Sequence, residues 1–441
     1  MTPHPQSARS YLAALDARGW LKHIADEVDP KFELSAWLSL AGEQAMRFER
    51  VAGSDLRAFG NLLTNRERIA LGLGVSPAVL QRRIVDAIDA AADPVMVNAA
   101  PCQEVVIGKP AWSMLPVPTF FEHETGPYIT AGVIAARDAA SGRCNLSYAR
   151  IKPLEGDRAF IGIAPEHHLA VFARRSGAPL PVAVTLGNHP AVLVAAALYL
   201  DEGEDELRVA SALLPTPLEA AEAGNGIRVP AHCEIVLEGE IDASRKREEG
   251  PVSEYHGMYE DYGAGYEFRL RRITRRRDAM LQVIQPGLHP EHVWIGGEAI
   301  AASLRRRLAA RYRGMREVAV TPGGAGRLHA VVAAQGEPAR ELIDAAWQAV
   351  RLIKLVTVVD ADVDPWDAVQ VERALATRVK ADRDLIVARG VRTSRSDPLQ
   401  ENAQVAKLGI DATRKPADRD WRAAQPPAEV MERVRRKLAS Q

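Results

Sequence analysis

Pro101, Pro110, Pro116 and Pro118 bar regular helix from residues 100 to 118, because proline lacks an amide N–H and clashes with the preceding turn. The chain has to change architecture there. Before this stretch, helical periodicity alternates with short strands. Residues 8–22 carry Tyr11, Leu12 and Leu15 at helical spacing, with Trp20 and Leu21 beyond the Gly19 break. Leu34 to Met46 and residues 77–92 read as further helices. Residues 57–75 read as a strand or loop feeding a helix.

After the prolines the period shifts towards two. Two β-rich runs flank the turn cluster Asp138-Ala-Ala-Ser-Gly142, which predicts a hairpin with residues 145–150 on its second strand. Alternation puts Asn145, Ser147 and Ala149 on one face and Arg150 on the other, unless a bulge intervenes. Residues 158–163, 180–186 and 229–241 add strands, and helices are expected over 169–176 and 191–200. Tyr266 to Arg271 alternates cleanly, and Met280 to Ile284 is expected to pair with it across Arg276-Arg-Asp278. This middle block predicts a β-barrel-like domain.

Beyond Pro290 the pattern becomes α/β. A helix over 297–313 is followed by strands at 318–320, 328–333 and 355–359, with a helix over 337–352 between the last two. The polar tail after Pro398 is expected to cross to another domain or subunit, and residues 430–438 to close with a helix. At 441 residues the chain exceeds what one core organises. Domains are expected over 1–115, 116–295 and 296–441.

Charge excludes some classes of partner. Lysine and arginine total 56 against 57 acidic residues, so no overall field draws nucleic acid or an anionic membrane. Cys102, Cys144 and Cys233 are too far apart for a zinc pattern or a disulfide framework, which suggests a reducing compartment. No secretory signal pattern and no membrane-length apolar run is read. A cytoplasmic location is expected.

Three residues stand out for chemistry. Arg150 closes Asn145-Leu-Ser-Tyr-Ala-Arg150, and Glu249 and Glu254, five residues apart, bracket a Gly-Pro turn. A carboxylate held by arginine stays ionised, and one in an apolar pocket can donate a proton near neutrality. Spacing alone favours a surface ion pair beside a turn, while Tyr255 and His256 beside Glu254 add weight to a site. Asn145, His167, His168 and Glu206 carry the N and O donors that a divalent metal takes, although adjacent histidines face different ways. Gly323-Gly-Ala-Gly326 matches no phosphate-loop spacing and reads as a turn. Asp360, Asp362 and Asp364 lack the glycine and closing glutamate of a calcium loop. Lys354 suits a phosphate as a point charge, or a plain surface position.

Taken in order, these motifs resemble those of the UbiD-like decarboxylases, which use prenylated flavin mononucleotide. The likeness runs from Gly60-Asn-Leu62 through Leu115-Pro-Val-Pro118, Gly126-Pro-Tyr-Ile-Thr130, Asn145–Arg150 and Pro181-Val-Ala-Val184. It continues through Val229-Pro-Ala231, Glu234-Ile-Val-Leu-Glu-Gly239 and Glu249–Glu254 to Lys354 and Val358–Pro365. The resemblance implies an N-terminal α/β domain, a central split β-barrel related to flavin reductases, and a C-terminal α/β domain used in oligomerisation. It implies that Arg150, Glu249 and Glu254 are a catalytic Glu-Arg-Glu set. It implies that Asn145, His168 and Glu206 hold a divalent ion, typically manganese, at the cofactor phosphate. His168 fits by distance from Arg150 and His167 by the preceding Pro-x-His pattern. Ser147, Tyr148 and Ala149 would line the cofactor, Lys354 would contact its phosphate, and potassium is a common second ion. Val252 and Ser253 depart from the family's usual Glu-Gly-Pro-Phe-Gly-Glu. Leu198-Tyr-Leu200 stands where relatives often have proline.

The resemblance further implies reversible, non-oxidative decarboxylation of an α,β-unsaturated or (hetero)aromatic acid, with Glu254 as proton donor. A flavin prenyltransferase would supply the cofactor, and a homodimer or homohexamer is expected. His256, His289 and His292 would suit a polar heteroaromatic substrate, or serve structure alone. Three other readings are a flavin-reductase-like protein using ordinary FMN, a carboxylase subunit of a larger complex, and a non-catalytic homologue serving as an assembly subunit.

Overall fold

The computed structural model describes residues 3–138, 141–201, 203–415 and 424–439. The first helix, Ala8–Asp16, is capped by Ser7, whose hydroxyl accepts from the Ser10 N–H. It stops before Gly19, and Leu21–Val28 is a strand rather than a continuation of the helix. The second helix is shorter than its periodicity predicts. It spans Glu33–Ala41, and Ala45–Val51 is a strand. These two strands pair in parallel, and Arg57–Gly60 adds antiparallel to the second.

The fourth strand of that sheet is Met280–Val283, which pairs in parallel with Arg57–Gly60. This corrects the expected pairing with Tyr266–Arg271. Local alternation cannot choose between two available edges, and the N-terminal sheet wins. The N-terminal and central elements consequently bury their apolar faces in one continuous core.

The central sheet is curled. From Cys144–Tyr148 its order runs Val133–Arg137, Leu180–Leu186, Ile235–Glu248, Ala264–Arg275, Arg158–Gly162 and Arg150–Pro153. The first and last of these strands are separated in sequence by Ala149 alone. One extended segment thus passes from one edge of the sheet to the other, which requires a half-barrel. Irregularities between Glu238 and Gly239 and between Asp242 and Lys246 bend the long strand Ile235–Glu248, as bulges do. The expected hairpin pairs Val133–Arg137 antiparallel to Cys144–Tyr148, with 139 and 140 of its turn cluster outside the described residues. Its second strand ends at Tyr148, and Arg150, expected on it, opens the strand at the opposite edge instead.

The C-terminal sheet runs Met315–Val320, His329–Ala334, Leu355–Asp360, Gln404–Ala412 and Leu385–Arg392. Its inner pairings are parallel and its outer ones antiparallel. Helix Pro290–Ala309 and helix Ala339–Ala349 cover one face, and Ala368–Arg378 covers the other. The segment after Pro398, expected to cross to another domain or subunit, supplies an inner strand of this sheet through Gln404–Ala412. Its alternation is diluted by Lys407, which is buried and donates to the Arg351 and Ile353 carbonyls. The acidic loop after Leu355–Asp360 is neutralised by Arg378, which reaches Asp360 at 2.6 Å and Asp362 at 3.2 Å.

Helix Pro290–Ala309 joins the two halves. Ile295, Ala299 and Ala302 face the shared core, while Ile300, Leu304 and Leu308 face the C-terminal one. Its N-terminal turns lie beside the Gly-Pro loop described next. Among the described residues no helix is long and apolar enough to cross a membrane.

Candidate active site

The strand beginning at Arg150 supplies the centre. Arg150 pairs with Gly162 in register, and its guanidinium reaches across to Glu249. Nε donates to Oε1 at 2.5 Å and Nη2 to Oε2 at 2.6 Å, a bidentate pair. The Glu249 side chain is fully buried, and that of Arg150 is 21% exposed. Burial works against the Arg150 charge, and the hydrogen bonds and charge of Glu249 outweigh it, so the guanidinium is held firmly protonated. Gly250 turns the chain after Glu249 with φ +77°, a region that disfavours residues with a side chain.

Lys152 lies two residues after Arg150 and therefore on the same strand face. Its ammonium donates to the Glu249 carbonyl at 2.7 Å and to the Thr125 hydroxyl. Thr125 donates to that same carbonyl at 2.7 Å. Glu249 is thereby fixed at both its carboxylate and its backbone. Burial pulls the Lys152 pKa down, opposed by the Glu249 charge.

Glu254 reaches the centre through Tyr262. The Tyr262 hydroxyl donates to Glu254 Oε2 at 2.7 Å. The same ring lies 5.3 Å from the Arg150 guanidinium and 4.8 Å from that of Arg395. Burial and the Glu254 charge push the Tyr262 acidity down, so the phenol stays protonated. The Tyr255 N–H caps Glu254 Oε1 at 3.2 Å. Val252 is buried, and Ser253 donates to Glu124 Oε1 at 2.9 Å. Burial pushes the Glu124 carboxyl upward.

A second cluster lies back along the same segment. Glu206, first residue of helix Glu206–Leu213, accepts from Asn145 Nδ2 at 3.1 Å and from the Leu146 N–H at 2.9 Å. Burial pushes its carboxyl up to about 8 against those hydrogen bonds. Asn145 Oδ1 and Ser147 Oγ are buried and have no partner. Tyr148 donates to the Leu193 carbonyl at 3.0 Å, and Ala149 is the break between the two edge strands. His168 lines a cavity of about 250 Å³ with Cys144, Gly203 and Glu204, which neighbour Asn145 and Glu206 in the chain. The His167 ring is turned back to accept the Leu169 N–H at 3.4 Å. Burial, with the neighbouring His168, pulls His167 down to about 4. Lys354 donates to the buried Asp397 at 3.0 Å.

The three further histidines divide. His289 Nε2 lies 3.3 Å from the Leu38 carbonyl, and His256 lies 3.4 Å from Glu260. His292 Nδ1 meets the Gly287 carbonyl at 3.0 Å. One other trio, His4, Glu219 and His232, brings donor atoms together. Its two imidazoles stack face to face at 3.6 Å, so their in-plane lone pairs cannot converge on one ion.

Tyr262, Lys152 and Thr125 were missed by sequence reasoning. Lys152 carried a signal, since it shares a strand face with Arg150. Tyr262 is marked only as an aromatic in a Gly-rich turn, and Thr125 carried none.

Three family profiles cover the chain. Residues 12–88 match the N-terminal domain of 3-octaprenyl-4-hydroxybenzoate carboxy-lyase, 94–289 its Rift-related domain, and 293–412 its C-terminal domain. The chain is a member of the UbiD family. Anhydromevalonate phosphate decarboxylase of Methanosarcina mazei is 32% identical over 413 residues, covering 92% of this chain and 96% of that one. The UbiD-class enzyme HmfF of Pelotomaculum thermopropionicum, solved with FMN, superposes with a TM-score of 0.90 at 34% identity. That match covers 97% of this chain and 99% of HmfF. An evolved dimeric form of HmfF with prFMN gives 0.86, again at 34% identity, covering 96% and 97%. These UbiD relatives match almost end to end, so the half-barrel, the Arg150–Glu249 pair and the Asn145–Glu206 cluster all lie within the shared region.

Proposed function

We propose that this UbiD-family chain is a prenylated-FMN-dependent decarboxylase acting reversibly and non-oxidatively on an α,β-unsaturated or (hetero)aromatic carboxylic acid. The observation that supports this reading is that Arg150, about a hundred positions before Glu249 and Glu254, pairs with the buried Glu249 and approaches Glu254 through Tyr262. The bound cofactor would supply the carbon nucleophile and electron sink that side chains lack.

The residues present fit such a group. Asn145 Oδ1 and Ser147 Oγ are buried acceptors without partners beside the Glu206 carboxylate, and unpaired buried acceptors of this kind are costly unless something is bound. Asn145, Glu206 and His168 would hold a manganese ion, His167 being engaged as a helix cap. Ser147, Tyr148 and Ala149 would follow the cofactor towards Arg150, at most about 17 Å from Asn145 along extended chain. Potassium and a contact from Lys354 to the phosphate belong to the same reading. The half-barrel would correspond to the split barrel of flavin reductases.

Arg150 would orient the substrate carboxylate while keeping Glu249 ionised. Glu254 would deliver the proton to the carbon that loses carbon dioxide, its orientation set by the Tyr262 hydroxyl on Oε2 and the Tyr255 N–H on Oε1. We assign the protein to the cytoplasm, where a flavin prenyltransferase would load it. We assign domains over 1–115, 116–295 and 296–441, the last joining subunits in a homodimer or homohexamer.

The test is co-expression with a flavin prenyltransferase and a screen of unsaturated and aromatic acids for carbon dioxide release. Glu254→Gln should abolish turnover while the cofactor's absorbance remains. Full activity in that variant would sink the assigned role. A chain that holds only ordinary FMN and oxidises a reduced nicotinamide would favour the reductase reading.

A further inference from the structure

Arg327 is a partly buried guanidinium without an acidic partner. Its Nη1 donates to the adjacent Gly326 carbonyl at 2.9 Å, and among the described residues no carboxylate pairs with it. Burial pulls its pKa down from the usual arginine value. Glu254 is the acid whose charge reaches it, and the Glu254 oxygens are taken by the Tyr262 hydroxyl and the Tyr255 N–H. Withdrawing a cation from water without a paired counter-charge is costly, so an unpaired guanidinium beside an active site points to an anion it has yet to meet.

The surroundings place it at the site. The Arg327 guanidinium lies flat on helix Pro290–Ala309 at Gly296, where a Cβ would fall 1.6 Å from Nη1. His292 is one helical turn earlier on that face. The Gly287 carbonyl fixes His292 Nδ1 as the protonated nitrogen, which leaves Nε2 as the free one. A Cβ at Gly287 would lie 3.8 Å from the Glu254 carbonyl. The charges of Arg327 and Glu254 both act on His292. Arg150 approaches Glu254 through Tyr262, while Arg327 and Glu254 act on each other through charge alone. Arg395, over the Tyr262 ring at 4.8 Å, is a second guanidinium for which no carboxylate partner is found among the described residues.

A simple monoacid uses one cation, and Arg150 is already in place for it. Arginine's planar fork matches carboxylate and phosphate oxygens in pairs. We propose that Arg327, set over Gly296 and flanked by His292, binds a second acidic group on the substrate, a carboxylate or a phosphate. The inference rests on the decarboxylase reading and deepens it: the substrate class becomes an unsaturated acid that carries another anionic group.

The test compares crotonate with glutaconate and 4-phosphonocrotonate, which share an unsaturated acid and differ at the far carbon. Cofactor-loaded wild type should favour one of the dianions over crotonate by at least about tenfold in kcat/KM, and which one it favours identifies carboxylate or phosphate. Arg327→Met should lower that preference about tenfold or more, chiefly through KM, and Arg327→Lys should restore part of it. Gly296→Ala displaces the guanidinium while suiting the helix better, so it should act in the same direction if Arg327→Met folds poorly. An unchanged preference in both variants, or a wild type that favours crotonate, overturns the proposal. If no acid releases carbon dioxide, the decarboxylase reading fails on its own. Calorimetric binding of the same three acids to wild type and Gly296→Ala then decides the subsite: equal binding of all three overturns it.

Discussion

The Tyr262 hydroxyl donates a 2.7 Å hydrogen bond to Glu254 Oε2 while its ring stands 5.3 Å from the Arg150 guanidinium. One aromatic side chain thereby fixes two residues that are 104 positions apart in sequence. Replacing Tyr262 with phenylalanine keeps the ring and removes the donor. We expect kcat to fall about 10- to 100-fold, the scale on which positioning of an acid-base group contributes, with KM changing less. Steady-state kinetics on the loaded enzyme, with the cofactor spectrum as control, measure this. A kcat within twofold of wild type would mean that Glu254 is oriented by its backbone contact alone.

Arg150 is also structural. Glu249 is wholly buried, so Arg150→Ala strands a carboxylate without its partner. The expected loss of stability is about 3–5 kcal/mol, together with loss of turnover. Urea unfolding of the purified variant measures it. A loss below about 1 kcal/mol would show that Lys152 or water compensates Glu249.

The two histidines should separate cleanly. His168→Ala is expected to lose bound manganese and to retain little cofactor, because the proposed ligand set of Asn145, His168 and Glu206 then loses its only imidazole. His167→Ala is expected to keep the metal and to lose about 1 kcal/mol of stability, the usual worth of a helix cap. Metal content of the purified proteins and their melting temperatures distinguish the two. Loss of metal from the His167 variant alone would reverse the assignment.

Glu298 should give stability a pH dependence of defined sign. It is fully buried, Arg66 donates to Oε2 at 3.1 Å, and Oε1 has no partner. Burial pushes its carboxyl from 4.5 up to about 7 against the Arg66 charge. Between those values the folded state holds a proton that the unfolded chain has released. Stability from this group therefore falls as pH rises through that window, and the loss is complete above about 7. Glu298→Gln removes the titration. The unfolding free energy of wild type relative to Glu298→Gln should drop by about 1–3 kcal/mol between pH 5 and 7.5. Chemical denaturation at both pH values checks this, and a flat difference rejects it.

Much of the fold could be read locally. The hairpin over 133–148 and the half-barrel's long strands follow from alternation and turn residues. Helical spacing finds the long helix, expected over 297–313 but starting earlier, at Pro290, and ending at Ala309. The pairing of Met280–Val283 could not be read this way, because its apolar run suits any parallel or antiparallel edge, and its actual partner, Arg57–Gly60, lies more than 200 residues away in the chain. Gln404–Ala412 was hidden for another reason. Lys407 sits where a buried residue is expected, and its ammonium is satisfied by two carbonyls far away in sequence.

The sequence by itself singled out the candidates. Arg150, Glu249 and Glu254 stand out by their side chains and by the ordered motifs around them. It also determined that Asn145 and Arg150 do not simply share a strand face, because side chains alternate. Only the tertiary structure decided that these groups meet. The curl of the sheet carries residues 144–153 from one edge to the other, and Ala149 interrupts the strand between Asn145 and Arg150. Partners such as Tyr262, Lys152 and Arg327 lie on separate elements, and no period or spacing encodes a contact between elements. Such contacts arise when packing a shared core brings together surfaces that are remote in the chain, and the unpaired Arg327 becomes visible only once every nearby acid has been placed.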